Sequence, residues 1–149
     1  MSDPARVLLT AAVLSLATVA MLAWRAMRAS PDEPARLIGA LRLAQWCAVL
    51  LAAIGAIPIG LALSASADSL GGIDAALGIV TVGTAGFMLL RDPYEALVLL
   101  AGAFVLHALI DLAHRPDFLS PALAPRPYLV GCAVYNVCLA AICFAARRR

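Results

Sequence analysis

The sequence predicts an all-α integral membrane protein: one bundle of five transmembrane helices, N-terminus outside and C-terminus in the cytoplasm. Three observations carry that prediction. The 149 residues are 64% hydrophobic and only 13% charged, whereas a soluble domain of this length carries about 25% charged residues. Mean hydropathy is +0.96. Apolar runs long enough to cross a bilayer, about 20 residues each, recur five times and fill most of the chain. No length remains for a separate soluble domain, so residues 1–149 are expected to form a single membrane domain.

The first run, Val7 to Trp24, follows "MSDPAR", which holds one acid and one base, and is followed by Arg25 and Arg28. Those flanks fit a retained span better than a cleaved leader. "RASPDEPARLIGALR" is expected to start a helix on the cytoplasmic surface, with acids near its positive end, and to lead into the second run, Leu43 to Leu63. Pro58 within that run should bend it. "SASADSLGGID", two acids and no base, precedes the third run, Ile73 to Leu90. "RDPYEA" reads as a tight turn in which Asp92 caps and Pro93 starts the fourth helix, Ala96 to Ala113. The next connection carries Pro116, Pro121, Pro125 and Pro127. It is therefore stiff and poor in backbone donors, and reads either as a lid or as a plain connector. The fifth run is Tyr128 to Ala146.

Orientation follows from arginine, because the chain has no lysine. Arg25, Arg28, Arg36, Arg42, Arg91, Arg147, Arg148 and Arg149 fall on one side; Arg6, Arg115 and Arg126 fall on the other. Basic loops stay in the cytoplasm, which places the end of the fourth helix outside. The net charge of +2 is this cytoplasmic arginine and implies no nucleic-acid partner. Gly55 and Gly60, with Gly78, Gly83 and Gly86, are expected to let helix backbones approach closely. Gly/Ala-rich faces also suit a homo-oligomer. Cys132, Cys138 and Cys143 share one helix without CxxC spacing, so none can pair with another there. Cys138 and Cys143 read as small buried apolar residues. No phosphate-binding loop or GxSxG elbow is present in the sequence, and five spans are few for a carrier built on inverted repeats.

The informative stretch is "HALIDLAHR". His107, Asp111 and His114 lie at i, i+4 and i+7, within roughly 60° of one another on a helix. On the fifth helix Tyr128, Cys132, Tyr135 and Asn136 span an arc of roughly 100°. Counting back from the outer edge at about 1.5 Å per residue, Asp111 matches a depth between Tyr128 and Cys132. His107, about 10 Å deep, falls near Cys132 and Asn136. If the stripes face each other they form one outward-opening pocket. An ionised Asp at mid-span costs about 2.5–3.5 kcal/mol, and Asp111 can be relieved by His107 or His114 a turn away. One reading is thus a self-satisfied cluster that pins two helices together.

Three functional readings stand beside it. In the first, His107, Asp111 and His114 do acid–base chemistry on a lipophilic small molecule held by Tyr128, Cys132, Tyr135 and Asn136. Imidazole is suited to proton transfer near neutrality, so the reaction would be an isomerisation, cyclisation or hydrolysis without a cofactor. In the second, the His-x3-Asp-x2-His pattern binds a metal. In the third, the chain is an accessory subunit whose polar stripe meets a larger membrane partner. The first reading is preferred, with no metal assigned to the site and membrane lipid or a lipophilic molecule as partner.

Residues 107–136 resemble the C-terminal half of an uncharacterised family of small bacterial multipass membrane proteins. There a His-x3-Asp-x2-His helix precedes a Pro-rich loop and a Pro-x-Tyr-x3-Cys helix start. The matching positions are His107, Asp111, His114, Pro127, Tyr128 and Cys132. The present chain is one residue shorter between Pro127 and Tyr128, has Asn136 where that pattern has an acid, and has Ile110 where it has an aromatic residue. The resemblance implies a bacterial inner-membrane location and no particular reaction.

Overall fold

The computed structural model describes residues 3–30, 34–64, 71–115, 119 and 124–147. Five helices cover the five apolar runs except for Leu89 and Leu90: α1 (Asp3–Arg28), α2 (Pro34–Ser64), α3 (Gly71–Met88), α4 (Pro93–Ala113) and α5 (Arg126–Ala146). Among the described residues there is no strand, only isolated bridges at His114, Arg115 and Leu119. Four helices (α1, α2, α4 and α5) are long and apolar enough to cross a membrane. Leucines and valines on every helix, among them Leu14, Val49, Val80, Leu106 and Val134, are exposed. Apolar area on that scale belongs against lipid rather than water.

α3 is equally apolar but only 18 residues long, about 27 Å at helical rise. Leu89 and Leu90, expected in the third span, lie beyond it. Their amides bond the Gly86 and Phe87 carbonyls at 3.2 and 3.1 Å, three residues back instead of four, so the helix tightens and ends. The helix expected to start before the second span does so at Pro34. Residues 34–42 are the first turns of α2, and a Cβ at Gly39 would lie 2.9 Å from the Ala26 Cβ. That close approach seats the start of α2 on the end of α1. α2 is continuous from Pro34 through Pro58 to Ser64. At α4 the turn is as expected: the Asp92 carboxylate accepts from the Tyr94 and Glu95 amides at 3.0 and 3.4 Å. Pro116 and Pro121, on which the lid reading rests, lie outside the described residues.

Consecutive helices touch in chain order and α1 returns to α5, which closes a ring; α2 also meets α4 and α5. Among the described residues α3 touches only α2 and α4. Its contact with α2 is a glycine crossing: a Cβ on Gly78 would lie 2.6 Å from the Gly55 carbonyl oxygen. Gly60, Gly83 and Gly86 do not share that role, because a Cβ on any of them meets nothing within 4 Å.

The bundle has two unlike ends. At the end where Arg25, Arg28, Arg36, Arg42 and Arg91 gather, the interior is dry. Leu43, Cys47, Leu51, Leu97, Leu100, Phe104, Leu139 and Cys143 are fully buried there. Arginine guanidinium groups lie over Trp24, Phe87 and Phe144 at 4.2, 4.4 and 3.6 Å from the ring centres. Aromatic and arginine side chains of this kind collect where hydrocarbon gives way to water. The opposite end buries Asp74, His107, Asp111, His114 and Asn136.

Candidate functional site

The last two turns of α4 and its C-cap residue direct His107, Asp111 and His114 into the bundle, as the i, i+4, i+7 spacing requires. They do not form one cluster. His114 is 3% exposed, and its partner is on α3. Its Nε2 lies 3.0 Å from Asp74 Oδ1, and its Nδ1 lies 2.9 Å from the Ile110 carbonyl oxygen. His114 is thus hydrogen-bonded to Asp74 and not to Asp111. Asp74 stands in the first turn of α3, where a helix favours negative charge. Arg126 donates to the His114 carbonyl at 3.1 Å, at the α4 terminus that favours a cation.

These bonds fix the proton count of the pair. A carbonyl only accepts, so Nδ1 of His114 carries hydrogen. The contact between Nε2 and Asp74 then requires one further proton, on the nitrogen or on the oxygen. Imidazolium with carboxylate, or imidazole with carboxylic acid, both sum to zero charge. Two ionisable groups are thus buried together without a net charge, which is the condition for burying them at low cost.

The second group is looser. Asn136, fully buried on α5, donates through Nδ2 to Asp111 Oδ2 at 3.2 Å. His107 Nε2 stands 3.9 Å from Asp111 Oδ1, close enough for attraction but too far for a hydrogen bond. His107 Nδ1 and Asn136 Oδ1 are buried without any partner. Such orphans are uncommon and each costs about 1–3 kcal/mol.

A cavity of about 60 Å³ adjoins both groups. A water needs roughly 10–15 Å³ by this measure, so several waters or one small polar group fit. All seven residues singled out in the sequence line it: His107, Asp111 and His114 from α4, and Tyr128, Cys132, Tyr135 and Asn136 from α5. Asp74 joins them, and Ile54, Ile57, Pro58 and Leu61 of α2 make an apolar wall. Pro58 contributes twice, since its missing N–H also leaves the Ile54 carbonyl without its helical donor. Tyr135 has a further tie. Ser15 gives its hydrogen to the Ala12 carbonyl at 2.9 Å, so the Tyr135 hydroxyl donates to Ser15 at 2.7 Å. That hydroxyl holds α5 to α1 while the ring borders the cavity.

Among the described residues no three His, Cys, Asp or Glu side chains converge as metal ligands. His114 turns to Asp74 and leaves His107 with Asp111 alone, so the metal reading has no donor set here. Two pairings escaped the sequence reading. Asp74 looked like a loop acid, although its place at the start of an apolar run, after Ile73, was a signal. Cys47 and Cys143, from α2 and α5, are fully buried with Cys143 donating to Cys47 at a sulfur–sulfur distance of 3.3 Å; no local spacing marks that contact. No protein-family model, no characterised protein and no solved structure matches the chain.

Proposed function

We propose that this chain is a multipass protein of the bacterial plasma membrane that takes the polar head of a lipophilic small molecule into the cavity and exchanges a proton with it through His107 and Asp111. In this reading the N-terminus is outside, the C-terminus is cytoplasmic and the cavity opens outward. The arginine-rich, aromatic-bordered end supports that orientation. The observation that carries the function is the state of His107. An imidazole 7% exposed, with Nδ1 unpaired, faces a cavity rather than packing against a partner. An intramembrane ionisable group so placed marks a working site more often than a structural one. His114 and Asp74, already paired, hold one exchangeable proton next to it.

The test joins stability to ligand content. Replacing His107 and Asp111 together by leucine removes the loose pair as a unit, which is often neutral or stabilising for a buried polar pair. The expected result is a folded double variant that no longer co-purifies the small molecule found by mass spectrometry with the parent. A double variant that unfolds, together with a parent that carries no ligand, would leave the cluster as helix glue. Tags on each terminus, probed from outside intact cells, test the orientation. A protected N-terminus with an accessible C-terminus overturns it.

A further inference from the structure

We infer that the ligand of this cavity is a lipophilic amine, held as its ammonium ion between Asp111, His107 and Asn136. The inference rests on the proposed binding role and adds the chemistry of the head group. Hydrogen direction comes first. Asn136 gives one of its two Nδ2 hydrogens to Asp111 Oδ2, and its orphan Oδ1, a carbonyl oxygen, is an acceptor. Asp111 accepts there as a carboxylate does, and its other oxygen faces His107 Nε2. A bare nitrogen lone pair turned towards a carboxylate would repel it, so the hydrogen of the neutral ring sits on Nε2. The orphan Nδ1 is then an acceptor too. Both unmet atoms in the cavity ask for hydrogen from the ligand.

Charge points the same way. Asp74 is matched by the single proton it shares with His114, whereas Asp111 has a neutral amide at 3.2 Å and an imidazole at 3.9 Å. Among the described residues that line the cavity, none is arginine, and the chain has no lysine. Arg126 donates to the His114 carbonyl and does not line the cavity. A phosphate, sulfate or carboxylate head would meet Asp111 with no cation to hold it. An ammonium supplies the missing positive charge and up to three donors, and Tyr128 and Tyr135 also line the cavity. The apolar tail would lie along Ile57, which lines the cavity and is 42% exposed. An alcohol, by contrast, has one hydrogen for two acceptors and no charge for Asp111.

The experiment compares three probes with one tail: decylamine, decanol and decanoate, titrated into the intact protein in uncharged detergent at neutral pH while thermal unfolding is followed. Decylamine is expected to raise the unfolding temperature saturably, with at least tenfold tighter half-saturation than decanol and no effect from decanoate. Asp111→Asn should weaken the amine response at least tenfold, and Asn136→Leu carries the same comparison should Asp111→Asn not fold. Asp92→Asn, at the exposed cap of α4, should leave the response unchanged. Equal binding of decanol, binding of decanoate, or an amine response that survives Asp111→Asn and Asn136→Leu overturns the amine while leaving the cavity's binding role intact. No response to any probe, with no co-purified molecule in the parent, overturns both.

Discussion

The dry end and the cavity end are built from the same five helices but held by different forces. Between spans, apolar contact brings no gain over lipid, so association rests on packing and on interhelical hydrogen bonds. The dry end uses the first: Leu43, Leu51, Leu97, Phe104 and Leu139 leave no exposed surface. The cavity end uses the second: Asp74 with His114, Asp111 with Asn136, and Tyr135 with Ser15. Packing is spread over many atoms, whereas each polar tie depends on one partner. The dry end should therefore suffer from lost volume, and the cavity end from a partner removed alone.

The largest effect is expected at Phe104, the bulkiest of the fully buried side chains. Phe104→Ala should cost about 3–4 kcal/mol in reversible unfolding from detergent. A loss below about 1 kcal/mol would mean that the dry end is not close-packed. Next comes the crossing of α2 and α3, where an added methyl would press on backbone that cannot yield. Gly78→Ala should cost about 2–3 kcal/mol, and an unchanged midpoint would show that the helices are not clamped there. At the cavity end, Asp74→Leu leaves His114 Nε2 without its partner and should cost about 1–2 kcal/mol. Adding His114→Leu should restore much of that loss, since the pair is then removed as a unit. A double variant worse than the single would dissolve the distinction between the two ends. The smallest effect is expected at Gly83, whose added Cβ meets open space. Gly83→Ala should stay within about 0.5 kcal/mol and lean towards stabilising, through helix propensity.

What could be read from sequence divides along similar lines. The helices were legible because a span must be long, apolar and internally hydrogen-bonded, and every run but the third, which overshoots α3 by Leu89 and Leu90, sits inside its helix. The α4 and α5 stripes were legible because helical period puts each set on one face, but depth counting set Asn136 level with His107, whereas its hydrogen bond is to Asp111. Pairings across distant segments were not. Asp74 and His114 lie 40 residues apart, and Cys47 and Cys143 lie 96 apart; no periodicity connects them. Nor could the glycines be sorted. A helix apolar on every side carries little record of which side faces a neighbour, so Gly55 and Gly78 read no differently from Gly60 and Gly83.

The Cys47–Cys143 contact gives the dry end a built-in reporter. The thiol of Cys143 donates to the Cys47 sulfur inside the bundle, and an S–H bond absorbs infrared light in a window where peptide and water bands are weak. Its stretching frequency falls as the hydrogen bond shortens. A single vibrational band, assigned by Cys143→Ala and insensitive to deuterated solvent while the end stays closed, would follow the spacing of α2 and α5 in a native membrane without any label.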